Sequence, residues 1–177
     1  AQRSLSVEAF IRPRSVIDKE LQKVDDMVSE GEEIPKQIEN DLNDLMWEHC
    51  GVVRDENSMK KGLEKLEELK SRAMNLEIRV DTFSADELVM GFNLKASICS
   101  AEATLLSAIE RRESRGSHQR SDYADINEEQ NCNYMVSMNP DQQLTITKKE
   151  LGDLQPELKE ILGKTNKIVN FSGKLLE

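Results

Sequence analysis

Apolar side chains recur every three or four residues through most of the chain between residues 15 and 112. This spacing places them along one face of an α-helix. Gly31 and Gly51 end two of these stretches, and Pro35 opens the second. We therefore predict an all-α fold: an antiparallel bundle of three to four helices that resembles a spectrin repeat, with a small appended β-hairpin.

The first two predicted helices are separated by Gly31. One begins near Ser15, and the other extends from Pro35 to Gly51. Trp47 lies on the second helix, where we expect it to be a packing anchor with its indole N–H hydrogen-bonded. The apolar faces consist of Ile17, Leu21, Val24 and Val28 on the first helix, and of Ile38, Leu42, Leu45, Met46 and Cys50 on the second.

The next two predicted helices have start signals of their own. Asp55 or Asn57 can cap the third helix. Ser84 followed by Glu87 matches a capping box for the fourth, at 84–112. The third face consists of Met59, Leu63, Leu66, Leu69, Ala73 and Leu76. The fourth helix has two faces, one with Leu88, Phe92, Ala96, Cys99, Ala103 and Leu106, the other with Leu94, Ile98, Ala101, Leu105 and Ala108. Because both are apolar or small, we expect this helix to be the central member of the bundle.

The pattern changes after residue 112. A polar, irregular loop at 113–131 precedes two predicted strands, 134–138 and 143–147, which flank a turn at Asn139-Pro140-Asp141. Such a hairpin is marginal alone and should rest on the bundle or on a partner. We divide the chain into a lead-in (1–14), the helical bundle (15–112), the Arg-rich loop with the hairpin (113–150), and a C-terminal helix with a mobile tail (151–177).

Composition and charge exclude several classes of function. A net charge of -10 argues against binding to nucleic acid or to anionic membranes. No apolar run approaches the roughly 20 residues of a membrane span, and no signal peptide is visible. The three cysteines, Cys50, Cys99 and Cys132, are widely spaced and odd in number, which is typical of a reducing compartment and indicates a cytoplasmic location.

Recognisable catalytic and cofactor motifs are absent from the sequence. It contains neither GxGxxG nor GxxxxGK[ST]. His49 and Cys50 are adjacent and diverge by about 100° on a helix, so they do not chelate a metal together; His49 is expected at the helix end, where the dipole favours it. Ser117, His118 and Asp122 lie close in sequence, but catalytic triads are assembled in space, so this proximity is weak evidence. We predict no catalytic, cofactor-binding or metal-binding residue in this chain.

Residues 111–123, which we call the arginine loop, form an island of positive charge. They contain four arginines and read Arg-Arg-Glu-Ser-Arg-Gly-Ser-His-Gln-Arg-Ser-Asp-Tyr. Guanidinium groups suit carboxylates and phosphates, and Gly116 allows a sharp turn. Two interpretations are open. The arginines pair with Glu113, Asp122 and helix carboxylates and only fix the loop, or they dock another polypeptide or an anionic ligand.

The arginine loop, together with residues 45–56, 62–63 and 101–103, resembles the C-terminal helical domain of the flavoprotein subunit of succinate dehydrogenase and fumarate reductase. L-Aspartate oxidase shares this architecture. The similarity covers about residues 15–150. The sequence departs from the family pattern at Ala124, where Pro is common, and at Asn131 or Cys132, where a Trp often stands.

This resemblance implies an enzyme larger than the present chain. A FAD-binding domain and a capping domain would precede residue 1, and the full subunit would interconvert succinate and fumarate by hydride transfer at flavin N5. The family's catalytic and flavin-linking residues lie in those domains. The resemblance therefore implies FAD in the full-length subunit, none in this fragment, and a role in electron transport and the tricarboxylic acid cycle. The implied partners are the upstream domains and an iron–sulfur subunit, which would hold the protein at the periphery of the inner membrane.

On this basis we expect the arginine loop to dock a domain or a subunit. Arg115 and Arg120 would pair with carboxylates or backbone carbonyls of the flavin domain, and Asp122 would orient His118 or Arg120. Two alternatives remain: a free-standing acidic helical adaptor that binds a partner protein through its leucine stripe, or the same domain of an L-aspartate oxidase. The expected docking residues are Arg112, Arg115, His118, Arg120, Asp122 and Tyr123.

Overall fold

The computed structural model describes residues 13–80, 84–152 and 155–158. This part of the chain is mainly helical and ends in an antiparallel hairpin, so the predicted fold class is confirmed. The elements are α1 (Arg14–Asp25), β1 (Ser29–Glu30), α2 (Pro35–Cys50), β2 (Val53–Arg54), α3 (Glu56–Arg72), β3 (Glu77–Ile78), α4 (Asp86–Glu110), β4 (Gln119–Arg120), β5 (Cys132–Met138) and β6 (Leu144–Glu150).

Helices α2, α3 and α4 pack against one another around the hydrophobic core. The short connector after α2 makes α2 and α3 antiparallel. Gly62 permits close packing of the two helices, since a Cβ there would lie 2.8 Å from the Cβ of His49 on α2. The predicted faces of α2 and α3 are turned inward as expected. The core residues with the least exposure are Ile38, Met59, Leu66, Ile78 and Leu105.

The starts of α3 and α4 differ in how well the sequence predicted them. Asp55 caps α3 as predicted, because its Oδ1 accepts the backbone N–H of Ser58 at 2.9 Å. The capping box predicted for α4 needs correction. The helix begins at Asp86, whose N–H donates to Ser84 Oγ at 3.1 Å. The Glu87 carboxylate instead accepts the N–H of Arg79, at 2.8 Å. Glu87 thus ties the end of the preceding segment to α4.

The first helix departs from the prediction in its length and in its packing. It ends at Asp25 and contains no buried residue, so Ile17 and Leu21 remain exposed. The chain enters the core only at Met27, just beyond the helix. It then forms β1, which pairs antiparallel with β3. Pairing with a strand some 50 residues away leaves no local sequence signal.

Helix α4 is buried on one of its two predicted apolar faces. The buried face consists of Gly91, Leu94, Ile98, Ala101, Leu105 and Ala108. On the other face Phe92 and Ala96 are exposed, and Leu88, Cys99, Ala103 and Leu106 are half-buried. The expectation that α4 is covered on both sides is therefore corrected, since within the described part of the chain the second face is only partly covered.

The hairpin β5–β6 is longer than predicted and rests on α4. Its strands pair antiparallel, with Val136 opposite Ile146. The Tyr134 hydroxyl lies 3.3 Å from the Glu110 carbonyl at the end of α4 and 2.9 Å from Gln130 Oε1. Of the helix predicted at 155–170, residues 156–158 are helical, and the remainder lies outside the described residues. The predicted lead-in also lies outside them, apart from residues 13 and 14. No helix in the described ranges is long and apolar enough to cross a membrane.

Trp47 is not the packing anchor that the sequence predicted. Its side chain is 77% exposed at the end of α2. His49, two residues later, is buried instead. Its Nδ1 lies 3.0 Å from Ser58 Oγ, and its Nε2 has no hydrogen-bond partner among the described residues. His49 lies in the last turn of α2, as the sequence predicted, but its ring faces inward, whereas the large ring of Trp47 faces solvent.

Candidate functional site

The arginine loop is fixed to the connector between α2 and α3. Strand β4 within the loop pairs parallel with β2, so that Val53 lies opposite Gln119 and Arg54 opposite Arg120. The N–H of Ser121 adds a bond to the Arg54 carbonyl at 2.9 Å. The backbone of the loop is therefore held by main-chain hydrogen bonds to a segment more than 60 residues earlier.

A tight turn at Gly116 gives the loop its shape, as the sequence predicted. Arg115 and His118 exchange backbone hydrogen bonds of 2.9 and 3.0 Å across the turn. Gly116 has a φ of 60°, in the left-handed region that favours glycine. The turn brings the side chains that follow it back over the C-terminal end of α4.

Arg120 is buried and caps the end of α4. Its guanidinium forms a two-point ion pair with Asp122, with Nε–Oδ1 and Nη2–Oδ2 distances of 2.7 Å. Its Nη1 donates to the carbonyl of Ala108 at 2.8 Å. The hydrogen bond from Arg120 lowers the pKa of the Asp122 carboxyl to about 2. The prediction that Asp122 orients Arg120 is confirmed.

Glu113 is the second anchor of the loop and is fully buried. Its carboxylate accepts hydrogen bonds from Arg111 Nη1 at 2.6 Å, Arg115 Nε at 2.9 Å and the N–H of Asn127 at 2.9 Å. Burial alone would raise the pKa of Glu113, but these donors outweigh it and the pKa is lowered. From the sequence, Glu113 was expected only to pair with the arginines of the loop. Its position among four arginines was the signal that it anchors the loop.

His118 bridges the loop and the connector through both ring nitrogens. Nε2 lies 3.0 Å from the Arg111 carbonyl, and Nδ1 lies 3.1 Å from Arg54 Nη1. Because a carbonyl only accepts and a guanidinium only donates, Nε2 carries the proton and Nδ1 is the acceptor. Burial is the largest cause that lowers the pKa of His118; the bond to Arg111 opposes it, and nearby arginine charges add to it. Asp122 bonds Arg120, so the alternative that Asp122 orients His118 does not describe these contacts.

Arg112 and Tyr123 complete the predicted set. The Arg112 side chain is exposed, while its backbone N–H donates to Gln130 Oε1 at 3.1 Å. The Tyr123 ring is half-buried and lies 5.0 Å from the Arg120 guanidinium carbon, a cation–π contact. Asp122, besides its ion pair, accepts the N–H of Glu56 at 2.9 Å and so contacts the start of α3.

All six predicted residues lie in the arginine loop, and most of their charged groups bond to partners within this domain. The interpretation in which the arginines pair within the domain describes Arg111, Arg115 and Arg120. The expectation that Arg120 reaches another domain is corrected, because its side chain is fully buried. Arg112 and part of Arg115 remain at the surface, and docking through them stays a prediction.

A shallow cleft lies beside the loop. It has a volume of about 370 Å³ and is lined by Arg54, Arg111 and His118, by α4 and by Val136. Arg54 Nε donates to the Gly51 carbonyl at 2.9 Å, so this side chain is already held in place. The cleft is positively charged and suits a carboxylate better than a neutral ligand.

The starts of α3 and α4 do not fit the pyrophosphate of FAD. A flavin pyrophosphate binds a glycine-rich turn at a helix N-terminus. Here Asp55 and Glu56 open α3, and Asp86 and Glu87 open α4; these carboxylates would repel a pyrophosphate. No group of His, Cys, Asp or Glu in the described ranges is arranged to hold a metal ion.

Comparison with known proteins finds similar sequences over most of this chain. A family profile described as fumarate reductase flavoprotein C-term matches residues 39–161. The fumarate reductase flavoprotein subunit of Haemophilus influenzae is 37% identical over 111 residues, which cover 60% of this chain and 17% of that protein. An L-aspartate oxidase of Pyrococcus horikoshii is 37% identical over 82 residues, which cover 46% of this chain and 13% of that protein.

Solved structures contain the same fold. The Mycobacterium smegmatis Sdh1 complex in the apo form superposes with a TM-score of 0.76 at 19% identity, over 86% of this chain and 27% of that chain. At this identity the likeness shows the fold alone. The chain spans about a fifth or less of the curated relatives' length, with values of 21% and 17% for two fumarate reductase subunits.

Proposed function

The chain belongs to the family of fumarate reductase flavoprotein C-terminal domains, and we propose that it is the C-terminal domain of a FAD-dependent succinate dehydrogenase or fumarate reductase flavoprotein subunit. In this role it packs against the FAD-binding domain and the iron–sulfur subunit and has no catalytic activity alone. Residues 1–14 would be the lead-in from the FAD-binding domain. The full subunit would interconvert succinate and fumarate and would lie at the periphery of the inner membrane through its partner subunits.

The extent of the family match is the observation that carries this proposal. It extends from α2 through the hairpin, at residues 39–161, and includes the entire arginine loop. The loop also contains several hydrogen bonds between charged groups, among them those of Glu113 and of the Arg120–Asp122 pair. Such a rigid loop supports a role in presenting a fixed surface to a neighbour, because little conformational entropy is lost on docking.

FAD would be bound outside the described residues. A relative from Methanocaldococcus jannaschii, 32% identical over 96 residues, is named an uncharacterized FAD-dependent oxidoreductase. When bound, FAD would supply the hydride acceptor of the reaction. The acidic first turns of α3 and α4 do not fit its pyrophosphate. We propose that the flavin binds in another part of the full-length chain.

Docking would use the charged residues that the loop leaves at the surface. Arg112 is exposed and Arg115 is one-third exposed at its side chain, so both can meet carboxylates of a neighbour. His118, Asp122 and Tyr123 would act mainly by holding the loop in shape. Arg120, which is buried, would act only through Asp122 and the end of α4.

Aspartate is a second candidate substrate for the full-length protein, on the strength of the match to the L-aspartate oxidase of Pyrococcus horikoshii. The choice between the two substrates would be made outside this chain. Purified full-length protein assayed with succinate, fumarate and L-aspartate separates them: the proposal predicts turnover with the succinate–fumarate pair, and turnover with L-aspartate alone would favour the second candidate.

The docking role is tested with single variants of the full-length subunit. We expect Arg112→Ala and Arg115→Ala to reduce assembly with the iron–sulfur subunit, measured by co-purification, while the flavin stays bound. Lys95→Ala is the matched control, because Lys95 is an exposed cation on α4 away from the loop. If both arginine variants leave FAD content, assembly and turnover unchanged, the docking role is wrong.

A further inference from the structure

Arg54, at the end of β2, is half-buried but forms no ion pair with a carboxylate of the described residues. The neighbouring Asp55 caps α3 instead. A charge removed from water is costly unless it is paired. Arg54 therefore leaves a positive charge that a bound anion can neutralise. The other buried or half-buried arginines in the described ranges each pair with a carboxylate; these are Arg72, Arg111, Arg115 and Arg120.

The Arg54 guanidinium is held in position by hydrogen bonds that leave part of it free. Nε donates to the Gly51 carbonyl at 2.9 Å, and Nη1 lies 3.1 Å from the acceptor Nδ1 of His118. Both N–H groups of Nη2 remain without a partner in the part of the chain that the structure describes. Because the side chain is already ordered, a ligand that binds it loses little affinity to side-chain ordering.

Arg54 lines the shallow cleft beside the arginine loop, together with Arg111 and His118. No Asp or Glu of the described residues lines this cleft. Glu113 neutralises Arg111, and His118 is uncharged at neutral pH because burial and the neighbouring arginine charges lower its pKa. The lining therefore carries the net positive charge of Arg54 alone, which matches the single negative charge of a carboxylate.

The wall of the cleft formed by α4 selects the part of the ligand that lies behind the charge. Thr104 and Ser107 donate their hydroxyl hydrogens to carbonyls of their own helix, at 2.7 and 2.6 Å, so their oxygens can accept but not donate. The remaining wall is apolar, with Ala103 and Ala108 on α4 and Val136 on β5. A phosphate would turn oxygens towards this wall without a donor to meet them, at a cost in free energy. An organic carboxylate has one polar end and a hydrocarbon remainder that suits the wall.

We propose that this cleft binds a small organic carboxylate, whose carboxylate group pairs with Arg54 and whose hydrocarbon part contacts α4 and Val136. The cleft volume of about 370 Å³ lies at the lower end of the range for ligand pockets, about 300–1,000 Å³, which limits the ligand to a small molecule. Because the cleft is shallow, we expect weak binding, with a Kd of about 1 mM. The inference does not rest on the proposed function, since every residue that it uses lies in the described part of the chain.

Propionate, a monocarboxylate with a short hydrocarbon part, is the probe for this site. It is titrated into the purified full-length protein that contains this chain, and binding is followed by saturation-transfer NMR of the propionate signals. We expect Arg54→Gln to raise the Kd at least about tenfold. The matched control is Arg79→Gln, which should leave the Kd unchanged, because Arg79 is exposed and its N–H contacts Glu87 at the opposite end of α4. Equal Kd values for wild type and Arg54→Gln, or no binding of propionate at about 10 mM, would overturn the proposal.

A second pair of variants tests the cleft without altering Arg54, whose substitution also removes its bonds to Gly51 and His118. Thr104→Phe places a large side chain in the cleft from an exposed position on α4, and we expect it to raise the Kd about tenfold as well. Ser100→Phe is its control and should leave the Kd unchanged, because Ser100 is exposed one turn earlier and does not line the cleft. Circular dichroism checks that each variant is folded. If Arg54→Gln is not folded, this pair decides alone, and equal affinities of Thr104→Phe and Ser100→Phe overturn the site.

Two further probes test the chemical class of the ligand. Propionamide has nearly the same size as propionate but no charge, and we expect it to bind the wild-type protein at least about tenfold more weakly. Inorganic phosphate should displace propionate no better than chloride does at equal ionic strength, because the α4 wall offers it no donor. Propionamide that binds as tightly as propionate, or phosphate that displaces propionate at a lower concentration than chloride, would overturn the assignment of a carboxylate.

Discussion

Arg120 and Asp122 form a two-point ion pair, with both N–O distances 2.7 Å, that closes the arginine loop over the C-terminal end of α4. Arg120 ends β4 and Asp122 lies two residues later, and the same guanidinium donates to the Ala108 carbonyl. Arg120 thus donates hydrogen bonds to the C-terminal end of α4 and to the Asp122 carboxylate. Asp122 in turn accepts the N–H of Glu56 at the start of α3.

Arg120→Lys should destabilise the domain although it keeps the charge. Lysine cannot form the two-point pair with Asp122 and donate to the Ala108 carbonyl at the same time. We expect a loss of about 2–4 kcal/mol in the free energy of unfolding, measured by urea denaturation of the full-length subunit. The matched control is Arg112→Lys, whose exposed side chain should change stability by no more than about 0.5 kcal/mol. Equal effects of the two substitutions would contradict the structural role of Arg120.

Glu113→Gln should be more damaging than its small change in shape suggests. The substitution keeps the volume but removes the charge that Arg111 and Arg115 share, and the site is fully buried. Removing one partner of a buried ion pair costs about 3–5 kcal/mol. Glu110→Gln, at an exposed position three residues earlier, provides the comparison. A thermal midpoint for Glu113→Gln equal to that of Glu110→Gln would show that the pairing is dispensable.

Stability should fall in acid through Asp122. Its pKa is lowered from the ordinary 3.8 to about 2 by the hydrogen bond from Arg120. A lowered pKa in the folded state means that the contribution is fully present above about pH 4 and is lost as the pH falls towards 2. Asp122→Asn removes this contribution, so wild type and variant should differ at pH 5 and converge near pH 2. Parallel stability curves over that range would argue against the ion pair.

His118 should be neutral in the folded protein, with its proton on Nε2. Its pKa lies below the ordinary 6.5, first because of burial. The unfolded state therefore binds more protons just below pH 6.5, and stability falls as the pH decreases through that region. Nitrogen NMR of the ring should show an unprotonated Nδ1 at pH 7, and His118→Gln should lose this part of the pH dependence. A protonated Nδ1 would contradict the hydrogen bond from Arg54.

The sequence predicted those features whose causes are local. The cap at Asp55 depends on a side chain and an N–H three residues apart, and the buried faces of α2 and α3 follow from the spacing of their apolar residues. Exposure of Trp47 could not be predicted in this way, because an apolar residue near a helical stripe carries the same signal whether it enters the core or faces solvent. Of the two partners of Arg120, one could be predicted from the sequence and the other could not. Asp122 is two residues away, whereas Ala108 is reached only because the turn at Gly116 reverses the loop.

The pairing of the short strands was the feature that the sequence predicted least well. Val53 opposite Gln119 joins segments 66 residues apart in two-residue strands, too short for an alternating pattern. The hairpin was predicted because its strands are consecutive and flank a clear turn signal. The family match adds that residues 39–161, which include the arginine loop, are similar to the C-terminal part of longer flavoproteins, and no local rule supplies this.

The native size of the protein that contains this sequence, together with its bound flavin, tests the central claim most directly. An antibody raised against this chain would be used to isolate the protein from source cells for gel electrophoresis and flavin fluorescence. We predict a band several times heavier than 20.2 kDa that carries FAD and co-purifies with an iron–sulfur protein. A flavin-free band at 20.2 kDa would contradict the account and favour a free-standing helical adaptor.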